Sequence, residues 1–351
     1  MRKILSLLMM TCLSGFAVGS EAPCEPAGEV RFVCGLSNPE DLVSVPGTRW
    51  IIASGGTNGT NFYLIDSTSR SWRPLPFSVQ PGSSSSQCPR APAPATLQTH
   101  GLHIRSRGPG RAILHVVGHG AREAIEQFEV ELSGDAPALR WTGCLPLPQG
   151  LAANSVVALA DGTVLATVLF LPGTTFAESM SGKPTGVVLE RRPGQSAFEV
   201  VRGTELPANN GIEASPDGRE IYVVSSGLRT IVSYRRGNPA TRLGTTRPLP
   251  FTPDNVHLGP DGQLYTAGMA ADVPECGGIP GPQHDLQKLA ACPRGSVAAA
   301  IDRRTLKDAI VLETPALRAF SNATMVLPVG KEGWLGTFSG NRIAVGPLRQ
   351  R

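Results

Sequence analysis

The sequence predicts an all-β protein, a six-bladed β-propeller with four-stranded blades, on three observations. One hairpin unit recurs six times: an alternating strand, a tight Gly-containing turn and a second alternating strand. The composition is turn-rich and lightly charged, with Gly 40 and Pro 31 among 351 residues and 17% charged against 41% hydrophobic residues. Polar groups head nearly every one of the six units. A coiled coil or helical solenoid needs far more Ala, Glu, Lys and Leu, and intrinsic disorder needs more charge and fewer aliphatics.

The chain opens on MRKILSLLMMTCLSGFAVGS (1–20), a basic start, an apolar run and then small residues. This is the pattern of a secretory signal peptide cleaved near Gly19 or Ser20. The apolar run is short for a bilayer span, which needs roughly 20 residues. The expectation is one propeller domain over 21–351, secreted or periplasmic, with no stable membrane span after leader removal.

The six units follow in order as 41–54, 101–119, 155–170, 211–226, 255–269 and 324–338. Asp161-Gly162, Asp217-Gly218 and Asp261-Gly262 supply hairpin turns, because Gly takes the positive φ such turns demand. Further strands stand between units, among them NFYLIDS (61–67), AIEQFEVEL (124–132) and TIVSYRR (230–236). Six hairpins, each with one or two added strands, make six blades at about 55 residues each, slightly long for a blade. The low-complexity stretch 80–95 fits inside one repeat as a loop. EVRFV (29–33) and NRIAV (341–345) complete one blade together, the N-terminal strand at the outer edge, and so close the ring.

Six cysteines follow the leader: Cys24, Cys34, Cys88, Cys144, Cys276 and Cys292. An even number in an exported chain suggests up to three disulfides, with 15 connectivities open. Proximity alone prefers Cys24–Cys34, Cys88–Cys144 and Cys276–Cys292. Zinc is disfavoured, since no CxxC pair exists and no His stands at ligand spacing from a Cys. The formal net charge is only +4 and no basic residues cluster. That argues against nucleic acid as a partner, which requires a positive stripe.

The residues heading the six units are Pro39-Glu40-Asp41, Thr99-His100-Gly101, Ala153-Asn154-Ser155, Asn209-Asn210-Gly211, Pro253-Asp254-Asn255 and Asn322-Ala323-Thr324. In a propeller these strand starts converge on the central channel. Glu40, Asn154, Asn210, Asp254 and Asn255 then offer two carboxylates and three amides, the hard oxygen set that Ca²⁺ takes. Single Asn-Gly or Asp-Asn pairs are commonly plain turn residues; repetition at equivalent positions favours a site. His100 and His119 stand at neighbouring ends of one hairpin, where one imidazole nitrogen can act as a base near neutrality.

These motifs, PEDL (39–42), THGLHI (99–104), VVGH (116–119), ANSVVAL (153–159), NNGIEASPDGREIYV (209–223), PDNVHLGPDGQLY (253–265) and ATMVLPVG (323–330), resemble the paraoxonase/arylesterase family of calcium-dependent six-bladed propellers. More widely, the chain is similar to gluconolactonase/regucalcin-like and strictosidine-synthase-like propellers. The resemblance spans essentially the whole chain after the leader. It implies that Glu40, Asn154, Asn210, Asp254 and Asn255 hold a catalytic calcium, that His100 and His119 form a histidine dyad, and that Thr324 falls near the substrate pocket. It also implies a second, structural calcium on Asp41 and the carbonyl of Leu102. The chain departs from the family where Ser155 replaces an expected Asp, removing charge from that second site. The family's disulfide between the chain ends also has no C-terminal Cys here.

The resulting expectation is a calcium-dependent lactonase or arylesterase acting on a small-molecule lactone or ester. Calcium polarises the carbonyl and His100, assisted by His119, takes a proton from water, with Asp254 or Glu40 as the alternative base. Two alternatives stand beside it: a gluconolactonase-type sugar lactonase using Glu40, Asn210 and Asp254, and a non-catalytic, calcium-stabilised binding propeller. No GxSxG elbow, HExxH helix, P-loop or dinucleotide fingerprint occurs. Insertions 171–186 and 270–295 emerge over the expected site, and HDLQKLAAC (284–292) reads as a short helix of a lid pinned by Cys276–Cys292. Sequons stand at Asn58 and Asn322.

Overall fold

Six β-sheets form a ring in a computed structural model that describes residues 24–57, 59–132 and 134–349. Residues 1–20, expected as a leader, and Asn58 of the first sequon lie outside the described residues. Blade 1 comprises Leu42–Ser44, Trp50–Thr57, Thr60–Asp66 and Trp72–Pro74. Blades 3, 4 and 5 begin on Val156–Ala158, Asn209–Ala214 and Phe251–Leu258, and each has four strands in sequence order. Blade 6 is Ala323–Val329, Glu332–Thr337 and Arg342–Pro347, with Arg31–Cys34 paired antiparallel at its outer edge. The first and last strands therefore share a sheet, which removes the open edge of a linear array.

Blade 2 differs from expectation. Beyond its four strands, from Gln98–Ser106 to Ala138–Pro146, the short segment Phe77–Val79 pairs in parallel with the fourth. The stretch 80–95 leaves from there and is clipped back by Cys88–Cys144, with a Cα separation of 5.8 Å. Cys24–Cys34 and Cys276–Cys292 also form, so the proximity pairing is the one present. Three disulfides fit an oxidising compartment, and among the described residues no helix is long and apolar enough to cross a membrane.

The alternation in each strand sends one side chain in two into the gap between neighbouring blades. Six apolar clusters result, one per blade interface. Between blades 1 and 2, Ile52, Leu64, Leu102, Leu114 and Phe128 are fully buried beside Trp141, each contributing roughly 1.5–3 kcal/mol. The turns from the innermost to the second strand of blades 3, 4 and 5 are the predicted Asp-Gly turns, with φ of 87° at Gly162, 67° at Gly218 and 77° at Gly262.

Candidate metal centre and histidine pair

Four of the six innermost strands carry the same irregularity at the same height. In each, two residues oppose one on the neighbouring strand: His100-Gly101 in blade 2, Asn210-Gly211 in blade 4, Asp254-Asn255 in blade 5 and Thr324-Met325 in blade 6. A β-bulge breaks the two-residue alternation and re-aims a side chain. In blades 2, 4 and 5 it turns His100, Asn210 and Asp254 into the central cavity. The second residue of the bulge is small where the next blade presses close. A Cβ on Gly211 would stand 2.6 Å from Val256 N and 2.7 Å from Asp254 O, and one on Gly101 would stand 2.6 Å from Asn154 O. Glycine follows His100 and Asn210 because of this approach; neither position has a positive φ.

The five oxygen-bearing residues come together. Glu40, Asn154, Asn210 and Asp254 line one cavity with His100. Asn255, fully buried, donates from Nδ2 to Glu40 Oε1 at 2.6 Å. A carboxylate oxygen can only accept, so Asn255 keeps its Oδ1 free. Asn210 is oriented by similar logic: Ser226 donates its hydroxyl hydrogen to Pro253 O at 2.7 Å, so it accepts from Asn210 Nδ2 at 3.1 Å. The outcome is four buried oxygens without a hydrogen-bond partner, Glu40 Oε2, Asn154 Oδ1, Asn210 Oδ1 and Asn255 Oδ1. Orphaned acceptors are costly when buried. Three of the four belong to residues lining one cavity and the fourth, on Asn255, is tied to them through Glu40; such a set fits a hard cation, which satisfies oxygens and carboxylate charge together. Among the described residues no three His, Cys, Asp or Glu side chains form a metal cluster; this donor set has two carboxylates, the rest being amides.

The electrostatics agree. Burial first, then the neighbouring Glu40 carboxylate, pushes the Asp254 carboxyl well above its usual range, and His100 and then a hydrogen bond with Asn210 only partly offset this. Burial alone would lower His100, but Glu40 and Asp254 outweigh it and raise the imidazole to about 9. His100 Nε2 is 3.6 Å from Glu40 Oε1, and its Nδ1 is 3.1 Å from His119 Nε2. His119 in turn places Nδ1 2.6 Å from Glu123 Oε2.

The candidates for a second ion do not fit one. Asp41 is fully buried, and hydrogens already face both its oxygens. Oδ1 accepts from Leu42 N–H at 2.9 Å and pairs with His257 Nε2 at 2.7 Å, while Oδ2 accepts from Leu102 N–H at 2.7 Å. Leu102 thus meets Asp41 through its amide. Ser155 is neutral and buried. His257 is raised to about 9: burial opposes the charge, and Asp41 and then Glu213 outweigh it. A protonated side chain therefore supplies positive charge beside Asp41. Thr324 does not line the cavity either. It is fully buried, and its hydroxyl donates to Glu40 O, tying blade 6 to blade 1. Asn322 is buried at 2% exposure, with Nδ2 bonded to Ala290 O, so that sequon is closed.

Both insertions cover the cavity, which measures about 240 Å³. The expected helix in the second forms as α2 (Leu286–Ala291), capped by Asp285, and presents Leu286 and Leu289. Beneath it Arg294, fully buried, donates to the carbonyls of Ala270, Ala271, Cys276 and Gly278. The first insertion, expected only as a loop, holds α1 (Phe176–Met180) and presents Phe176 and Met180. Its readable signal was the capping box, Thr175 with Glu178. Leu169, Phe170, Met269 and Phe338 complete a largely apolar wall.

Sequence reasoning also missed a second ring. The third residue after each heading residue, Val43, His103, Val157, Glu213, His257 and Leu327, lines the opposite mouth of the bore. The three-residue offset from the first ring was the available signal.

No protein-family model matches the chain, and no curated protein matches it in sequence. Solved structures do. A luciferin-regenerating enzyme superposes with a TM-score of 0.52 at 12% identity, covering 91% of this chain and 94% of the other. A gluconolactonase from Xanthomonas campestris superposes with a TM-score of 0.53 at 13% identity, covering 91% and 89%. At these identities the likeness shows the fold, a six-bladed β-propeller.

Proposed function

We propose that this chain is an exported, calcium-dependent hydrolase of lactones or esters whose non-reacting part is apolar. The observation that carries the reading is the pairing of four orphaned buried oxygens with an apolar wall directly over them. Calcium, bound by Glu40, Asn154, Asn210, Asp254 and Asn255, would supply Lewis-acid polarisation of a carbonyl oxygen. The other parts of the chemistry fall to the chain. His100 offers Nε2 on the cavity side as the base for a water proton, and His119 backs it. Glu40 and Asp254 hold a proton on His100 while their charge is unbalanced; neutralising that charge frees the imidazole to act as a base. The walls exclude bulk water and seat an alkyl or aryl group.

The gluconolactonase-type alternative keeps support from the fold of the Xanthomonas protein. The cavity counts against it: a polyhydroxylated ring needs a dense set of hydrogen-bonding groups, and Leu169, Phe170, Phe176, Met180, Leu286 and Leu289 supply none through their side chains. The test is a panel of alkyl lactones, aryl acetates and a sugar lactone, each with calcium or with a chelator. Alkyl lactones or aryl esters should be hydrolysed only with calcium, at a kcat/KM at least about tenfold above the sugar lactone, a discrimination within reach of an apolar pocket. Replacing both His100 and His119 by Ala should lower kcat by about a hundredfold. Preference for the sugar lactone would overturn the apolar assignment, and unchanged kcat in the double variant would remove the histidines. No turnover of any compound would leave the non-catalytic binding propeller.

A further inference from the structure

We infer that Glu123 is a positioning residue that sets the direction of the hydrogen bonds through the His100–His119 pair; this deepens the hydrolase reading and rests on it. The arrangement follows from the second and third strands of blade 2, Arg111–His119 and Ala124–Glu131. Gly118 pairs with Ala124, so the turn between them sets His119 opposite Glu123. At the same end, the bulge at His100-Gly101 brings His100 against His119. A carboxylate, two imidazoles and the cavity then stand in one row.

That row has a single consistent polarity. The Glu123 carboxylate only accepts, so His119 carries hydrogen on Nδ1, donated across 2.6 Å. A neutral His119 then presents a bare Nε2, which accepts from His100 Nδ1–H at 3.1 Å. Once calcium offsets the charge of Glu40 and Asp254, His100, with its hydrogen on Nδ1, keeps a lone pair on Nε2, the atom toward Glu40 and the cavity. Without Glu123 the row runs equally well in reverse, with hydrogen on His100 Nε2 and no base facing the substrate. An orienting carboxylate behind an imidazole fixes the tautomer in serine hydrolases by the same logic.

Glu123 is not held by the cation beside it. The Arg122 guanidinium turns away to Glu126, at 2.7 and 2.8 Å, and to Arg90 O at 2.8 Å. Glu126 also accepts from Trp141 Nε1 at 2.7 Å, so that carboxylate is committed to the blade. With a side chain 37% exposed, Glu123 is removable without opening the core.

The test uses calcium-loaded full chain labelled with ¹⁵N-histidine, as wild type, Glu123→Ala and Glu123→Asp. Long-range ¹H–¹⁵N spectra should show His119 and His100 both protonated on Nδ1 in the wild type, a mixture of tautomers in Glu123→Ala, and partial recovery in Glu123→Asp. In the same proteins kcat should fall about tenfold or more in Glu123→Ala with KM within twofold, at an unchanged melting temperature. Unchanged tautomers in Glu123→Ala overturn the inference whatever the activity. Shifted tautomers with no activity in any of the proteins uphold the role of Glu123 on the histidines and separately end the hydrolase reading.

Discussion

Asp254→Asn will bind calcium at least about a hundredfold more weakly than the wild-type chain, a loss of roughly 3 kcal/mol, yet will unfold at a higher temperature in chelator. Both effects have one cause. Asp254 is a half-buried carboxyl facing Glu40, and its pKa is pushed well up by desolvation and by that neighbour. A group whose folded pKa lies above its unfolded value stabilises the fold only at low pH; near neutrality it costs stability. Asn keeps the shape and removes the charge. Relief at such a site is commonly worth about 0.5–2 kcal/mol, or a few degrees of melting temperature in a chain of this size. The same charge is what a cation needs, so affinity and chelator-state stability should move in opposite directions. Calorimetric titration and thermal melts in chelator check the pair; a variant that keeps calcium affinity, or melts lower in chelator, would show that Asp254 is structural.

His257→Leu will destabilise the chain by about 3–5 kcal/mol at pH 6, the range seen when one partner of a buried ion pair is removed. Asp41 would then sit fully buried with only backbone N–H groups facing it. Glu213, already pushed up by burial, would lose its nearest cation. The pH dependence has a definite sign. His257 rises from its ordinary 6.5 to about 9, so its contribution is complete below about 6.5 and disappears as pH climbs through about 9. The gap between wild type and His257→Leu should therefore be widest near pH 6 and narrow by pH 9.5. Adding Asp41→Asn should restore part of the loss, since the orphaned charge goes with it. Denaturant melts at the two pH values decide the matter; equal stability of wild type and His257→Leu at pH 6 would refute it.

Much of this molecule was readable because its repeat is written twice, once in turns and once in strand heads. Gly-containing turns, Asp-Gly in three of them, and two-residue alternation mark the six hairpins, and a polar residue before each hairpin marks the axis. The ring closure through 29–33 and 341–345 was readable because an unpaired edge has to be covered. Other features lacked a local signal. Phe77–Val79 is three residues long and largely exposed, too short for alternation to register. Helix α1 has five residues, too few for a 3.6-residue period, leaving only its cap visible. Thr324 heads its unit like the others, yet nothing in the chain says that its hydroxyl turns to Glu40 O. His257 and Glu213 read as ordinary members of alternating strands until the bulges fix which side faces the bore. Their meeting with Asp41, 216 and 172 positions away in the chain, is a product of the closed ring.

The most direct test of the account is a crystal structure of the chain loaded with calcium. The expected result is one ion per chain on the axis, about 2.3–2.6 Å from oxygens of Glu40, Asn154, Asn210, Asp254 and Asn255, with His257 still against Asp41. Those five side chains turned away from an empty axial cavity, or a second ion displacing His257, would contradict it.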